Sequence, residues 1–90
     1  MNKNQKANQI LREIFWEKGI MSCELMFKGC LGTLFTAFAH RHKRVWYYDK
    51  PELLIDFNQV VLACQHCHDK IEHNKKLTEE VFEKLRGEDN

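Results

Sequence analysis

Leu62-Ala63-Cys64-Gln65-His66-Cys67-His68 is the stretch on which the reading of this chain turns. Two cysteines separated by two residues form a knuckle that offers both thiolates to one metal from a tight turn. One such pair cannot close a four-coordinate site, and Cys23 with Cys30 supplies the second. Six residues separate that upstream pair, more than the usual two to four, but the ligand count is complete. Two disulfides would consume the same four thiols. Nothing in Met1-Asn2-Lys3-Asn4-Gln5-Lys6 resembles a signal peptide, and no apolar run approaches the about 20 residues that span a membrane. A cytoplasmic protein is therefore expected, with thiols kept reduced, and this favours one structural Zn²⁺ per chain over disulfides.

The length makes such a staple useful. Ninety residues allow one domain, and a core of that size supplies only roughly 3–5 kcal/mol. The expected organisation is α+β: an N-terminal helix in 1–20, a zinc-stapled core in 21–76, and a C-terminal helix with an acidic tail in 77–90. Ile10, Leu11, Ile14 and Phe15 recur at helical spacing between Lys3 and Lys18, and Gly19 ends that helix. Cys23 to Cys30 is a loop, with Gly29 and Gly32 for tight turns. Thr33–His40 reads as a strand, Arg41–Arg44 as its exposed end or a turn, and Val45–Tyr48 as a second, extended stretch. Asp49 and Pro51 open a short helix, with Glu52 in its first turn. Val60–Ala63 is a buried strand running into Cys64. His68–Lys76 has helical character, and Thr78 caps a last helix with Glu79 and Glu80 in its first turn.

Net charge is only +1, so the field of the whole molecule points to no partner, and the distribution of charge says more. Arg41, Lys43 and Arg44 cluster beside two histidines, Lys70, Lys75 and Lys76 follow the last cysteine, and acidic residues dominate from Glu79 to Asp89. A local basic surface attracts phosphate even on a neutral protein; a solvated charged face is the alternative.

Two further pairs carry chemistry. His68 and Glu72 are four apart on a helix, with Cβ atoms about 5–6 Å apart, so they can share one ion. His73 lies roughly 140° around from His68, at about 100° per residue, and suits that ion less well. Without an ion, His68 is simply a residue of the helix start. His66, inside the knuckle, reads as a solvent-facing loop residue. His40 and His42 sit at alternate positions at a strand end and can face one site. Either has the near-neutral pKa of a general base, unless both are exposed members of the basic patch.

The order of these parts resembles the HNH (His-Me finger) endonucleases, in particular the small phage and mobile-element members: a cysteine pair, Ala39-His40 at a strand end, Asn58, then Cys64-x-x-Cys67-His68 entering a helix. The resemblance covers roughly Cys23 to His73. It implies a ββα-metal fold, two strands and a helix around one catalytic divalent ion, and a metal-dependent hydrolase cutting DNA phosphodiester bonds. His40 matches the general base and Asn58 the central Asn that orients the base's loop or touches the ion. His68 matches the metal ligand at the helix start, and Glu72 a second helical ligand, with His42 and His73 as lesser candidates. Mg²⁺ or Mn²⁺ is the implied catalytic ion, and Arg41, Lys43, Arg44 and Lys70 the DNA-binding side chains. The sequence departs from the family's pattern at Ala39, where many members place another ligand, and at Asn58, one residue further from the knuckle than the commonest spacing. Two other readings share these residues. One is a non-catalytic zinc module binding nucleic acid or protein; the other is a nuclease active only within a phage packaging or recombination assembly.

Overall fold

Val60–Cys64, here β2, is buried along its whole length. It pairs antiparallel with β1, Thr36–His40, in a register that sets Thr36 opposite Cys64 and His40 opposite Val60. These are features of a computed structural model that describes residues 3–88, with side chains from residue 5 onward. The expected N-terminal helix begins inside that range, while Asp89 of the expected acidic tail lies outside it.

Successive side chains of a strand point to opposite faces, and β2 is covered on both. Val60 and Leu62 pack on Leu11 and Phe15 of α1 (Lys3–Glu17), with Ile14, Phe38, Ile55 and Phe57 at the margin. Phe15 meets the rings of Phe38 and Phe57, each at 5.1 Å. On the other face Val61, Ala63 and Cys64 join Ala39, Cys23, Cys67, Ile71 and Phe82. The last three come from α2 (Gln65–Glu72) and α3 (Lys75–Arg86). The α+β class follows: among the described residues, three α-helices surround a two-stranded sheet. Gly19, with φ +74, lets the chain leave α1 in the left-handed region. No helix among the described residues is long and apolar enough to cross a membrane.

Several local expectations are corrected. The first strand starts at Thr36, not Thr33, because its partner runs out: Cys64 is opposite Thr36, and the chain then turns into α2. Residues 32–35 form a turn, with Gly32 and Phe35 at φ 67 and 53. Val45–Tyr48 is not extended; Arg44–Tyr47 is a 3₁₀ turn that drives Tyr47 into the interior. Pro51 does open a short 3₁₀ helix, Pro51–Ile55, but Lys50 rather than Asp49 is its cap, without a side-chain bond. The helix expected to run through His68–Lys76 breaks at His73 and Asn74. Asn74, not Thr78, caps α3, accepting the Leu77 N–H at 3.0 Å. The Thr78 hydroxyl instead donates to the Ile71 and Asn74 carbonyls, at 2.6 and 3.0 Å, and ties the end of α2 to the start of α3.

A third segment completes the sheet edge. Glu24 N–H donates to the Leu62 carbonyl at 2.9 Å, and a Glu24 carboxylate oxygen accepts the Leu62 N–H at 2.7 Å. One residue thereby covers the edge of β2 that β1 leaves open. Arg86, at the end of α3, holds both Glu24 carboxylate oxygens at 2.8 Å, and its Nε donates to the Phe57 and Val60 carbonyls. This pair is nearly withdrawn from water, with 4% and 12% of the two side chains exposed.

Candidate functional site

Cys23, Cys30, Cys64 and Cys67 converge on one point, every sulfur within 4.8 Å of the others. All four are free thiols, which excludes the disulfide alternative in this structure. Their spacing fits zinc. A tetrahedron with Zn–S bonds of about 2.3 Å has sulfur–sulfur edges of about 3.8 Å, and Cys30 Sγ lies 3.9 Å from Cys64 Sγ. The six-residue spacing that looked long is taken up by a loop folded back on the knuckle. Just past Cys30, Leu31 N–H points at Cys64 Sγ and Gly32 N–H at Cys30 Sγ, both at 3.3 Å. Burial works to raise the Cys64 thiol, but the N–H groups of Leu31 and Cys67 and the neighbouring thiols outweigh it and bring its pKa down to about 6. Burial likewise pushes Cys67, up to about 12. The amides aimed at Cys64 are bonds of the kind that steady a thiolate on a metal.

His66 is not a free loop residue. Its Nε2 donates to the Lys28 carbonyl at 2.8 Å, and its ring packs on Gly29 so closely that a Cβ there would stand 2.7 Å from Nε2. This contact pins the upstream loop onto the knuckle and explains why position 29 is glycine, at φ +88.

Beyond the knuckle, an open cleft runs between β1 with the turn after it and helices α2 and α3. His40, His42, Lys43 and Arg44 line one wall, and His68, Glu72 and His73 the other. These seven candidates, separated by up to 33 positions, thus share a cleft. Glu79, Glu83 and Glu88 also line it, on the helical side.

His40 is held in one tautomer. Its Nε2 lies 2.9 Å from the Leu54 carbonyl, and since a carbonyl only accepts, Nε2 carries the proton and Nδ1 keeps the lone pair when the ring is neutral. The ring packs edge-on to Tyr47 at 5.5 Å. Burial lowers its pKa below the usual histidine value, the Leu54 bond opposes this, and the Arg44 charge adds to the lowering. A neutral imidazole with a defined basic nitrogen results.

His68 Nδ1 stands 3.6 Å from a Glu72 carboxylate oxygen. Asp69 brings a third ligand atom into the same group, and its carboxylate also accepts from Gln65 at 2.7 Å. The one-face geometry expected of positions four apart is therefore present, over the second half of α2, with Asp69 and Glu72 exposed.

Other expected site residues lie elsewhere. Asn58 is exposed in the 3₁₀ turn Phe57–Gln59, its N–H donating to Asp56, and does not line the cleft. Its neighbour Gln59 is the buried one, accepting the Tyr47 hydroxyl at 3.0 Å, while that hydroxyl accepts the His42 N–H at 3.1 Å. The strand end that carries His40 is braced by Gln59 and Tyr47. Arg41 is not a loose phosphate contact: its guanidinium donates to the Gly87 carbonyl and lies over the Phe82 ring, fastening the end of α3. Lys70 is exposed on α2, away from the cleft. His42 lies past the strand end and stacks on Trp46.

Sequence reasoning missed Tyr47, Gln59, Trp46 and the Glu24–Arg86 pair. Only the aromatic run Trp46-Tyr47-Tyr48 beside the basic cluster signalled any of them; a lone Gln, Glu or Arg carries no pattern. Comparison with known proteins adds no relative: no family model matches the chain, and no curated protein or solved structure matches it significantly.

Proposed function

We propose that the chain is a metal-dependent HNH endonuclease that hydrolyses DNA phosphodiester bonds, stapled by one structural Zn²⁺ on its four cysteines. What supports the reading is His40: a ring held to leave Nδ1 as its base, at the end of the first of two strands, sharing a cleft with His68 in the first turn of the helix that follows. The order strand, strand, helix is that of a ββα-metal unit. Asn58, which matches the central Asn of the resemblance, does not line the cleft, and Gln59, one residue nearer the knuckle, braces the strand end.

His40 Nδ1 takes a proton from water, and the water oxygen attacks phosphorus in line while the bridging oxygen leaves. Lys43 and Arg44 hold flanking phosphates, which gives affinity without sequence information. His68 and Glu72, with His42 and His73 as weaker candidates, would hold the divalent ion. Mg²⁺ or Mn²⁺ there supplies Lewis-acid stabilisation of charge on the phosphate and the leaving oxygen. Ala39 is buried and offers no ligand, so protein ligands to this ion are few. That feature favours the second reading, a zinc module that binds DNA without cutting it.

Nicking of supercoiled plasmid, with and without Mg²⁺ or Mn²⁺, separates the two. Cleavage that requires the ion and falls by about 10²–10⁴ in His40→Ala is the expected result, the usual range for loss of a positioned base. Binding without cleavage by the zinc-loaded parent protein establishes the module instead.

A further inference from the structure

The aromatic run beside the basic cluster has no part in the hydrolysis above, yet it stands at the cleft. Trp46 lines the same wall as His40, Lys43 and Arg44. Its ring is stacked on the His42 imidazole, centroids 4.0 Å apart and planes inclined by 23°. Tyr47 braces it edge-on at 4.9 Å. Lys50 Nζ sits 4.2 Å from its centroid, and with one face stacked on His42, Lys50 covers the other. The Trp ring is thus rigid on one side and capped on the other only by the end of a flexible chain. Lys43 and Arg44 are exposed around it, as is Tyr48.

A half-buried aromatic ring at a cleft, backed on one face by His42 and capped on the other by a displaceable lysine, matches an unpaired nucleotide. Its base stacks and its phosphate pairs with the lysine or arginine. Duplex bases present no free face to such a ring. Stacking a base on tryptophan is stronger than a surface cation–π contact, so Lys50 gives way and remains near enough to meet the phosphate.

We infer that Trp46, backed by His42, seats an unpaired base of the DNA strand entering the cleft, so that the preferred substrate contains a single-stranded stretch, as gapped or branched DNA does. The inference rests on the nuclease reading for the word substrate, but its test does not need cleavage. In zinc-loaded Trp16→Phe protein, Trp46 is the remaining tryptophan; Trp16 is on the surface. Titration with a short oligothymidine, without Mg²⁺ or Mn²⁺, should quench its emission to saturation, and a blunt duplex of equal length should quench it far less. Trp46→Leu should weaken single-strand binding about 5–100-fold, leave duplex binding within about twofold and keep the zinc, and Trp46→Phe should recover most of the loss. Unchanged emission with oligothymidine, or equal weakening for both DNAs, overturns the seat, even if the protein nicks plasmid. Quenching by oligothymidine in a protein that never cuts DNA overturns the nuclease reading and leaves the seat standing.

Discussion

His40, like His66, has its ring proton fixed by a backbone carbonyl, and its burial gives it a distinct pH behaviour. Burial lowers its folded-state pKa below its value in the unfolded chain, so the unfolded chain binds the proton first as pH falls. The stability that His40 contributes is full above about pH 6.5 and is lost as pH drops through the lower folded value. Replacing it with Asn, which keeps an N–H for Leu54, should therefore flatten the acid side of the melting-temperature profile. An unaltered profile would place the acid sensitivity on other groups. The basic residues also part company at this scale. Lys43→Ala and Arg44→Ala should each reduce the log–log salt slope of DNA binding by about 0.9, Lys43→Ala with little change in melting. Arg41→Ala should do the reverse, because its guanidinium is engaged with Gly87 and Phe82. Equal slopes for all three variants would mean that these side chains act alike. The expectation that grouped Arg41 with its neighbours saw the charge and could not see the carbonyl.

At the scale of elements, two contacts hold the cysteine loop. Gly29→Ala forces an L-residue into φ +88 and sets its Cβ against the His66 ring. The conformational part costs about 1–2 kcal/mol, and the clash adds loss of the His66–Lys28 bond. In a His66→Ala background only the conformational part should remain, so urea melts of the four proteins should show non-additivity. Strict additivity would mean that ring and glycine do not meet. Arg86→Met leaves the Glu24 carboxylate buried without its cation and should cost about 3–5 kcal/mol. Glu24→Gln with Arg86→Met should recover part of that loss, measured by denaturant midpoint. If the single and double variants melt together, the pair is not the fastening between α3 and the edge of β2. Neither contact was legible beforehand. The knuckle itself was, since C-x-x-C is a pattern within one turn, whereas Glu24 and Arg86 stand 62 positions apart.

For the whole molecule, the proposed zinc on the cysteine cluster is expected to decide whether the chain folds. Zinc on four thiolates is worth about 10–16 kcal/mol of folding free energy in small domains, against roughly 3–5 kcal/mol from a core of this size. Stripping the metal with a strong chelator should abolish the helical circular dichroism, and one equivalent of Zn²⁺ should restore it. Cys67→Ser should behave as the stripped protein does. A chelated chain that keeps its spectrum and melts cooperatively would show that the two cores around β2 suffice without metal.

What the sequence determined by itself was whatever depends on near neighbours or on composition. It includes the four-thiol ligand count, the α1 stripe of Leu11 and Phe15 with its stop at Gly19, the unbroken apolar β2, and the i, i+4 meeting of His68 with Glu72. Tertiary structure alone decided what depends on groups distant in the chain. It delayed the start of β1 to Thr36 by exhausting its partner, gave the cap of α3 to Asn74, took Asn58 and Lys70 out of the cleft, and turned Arg41 to the end of α3. It also gave His40 and His42 different surroundings. Both are histidines of similar intrinsic basicity two residues apart, but only His40 meets the Leu54 carbonyl, and only His42 meets the Trp46 ring. A proton's position is set by the acceptor that faces it, and that acceptor lies fourteen residues away.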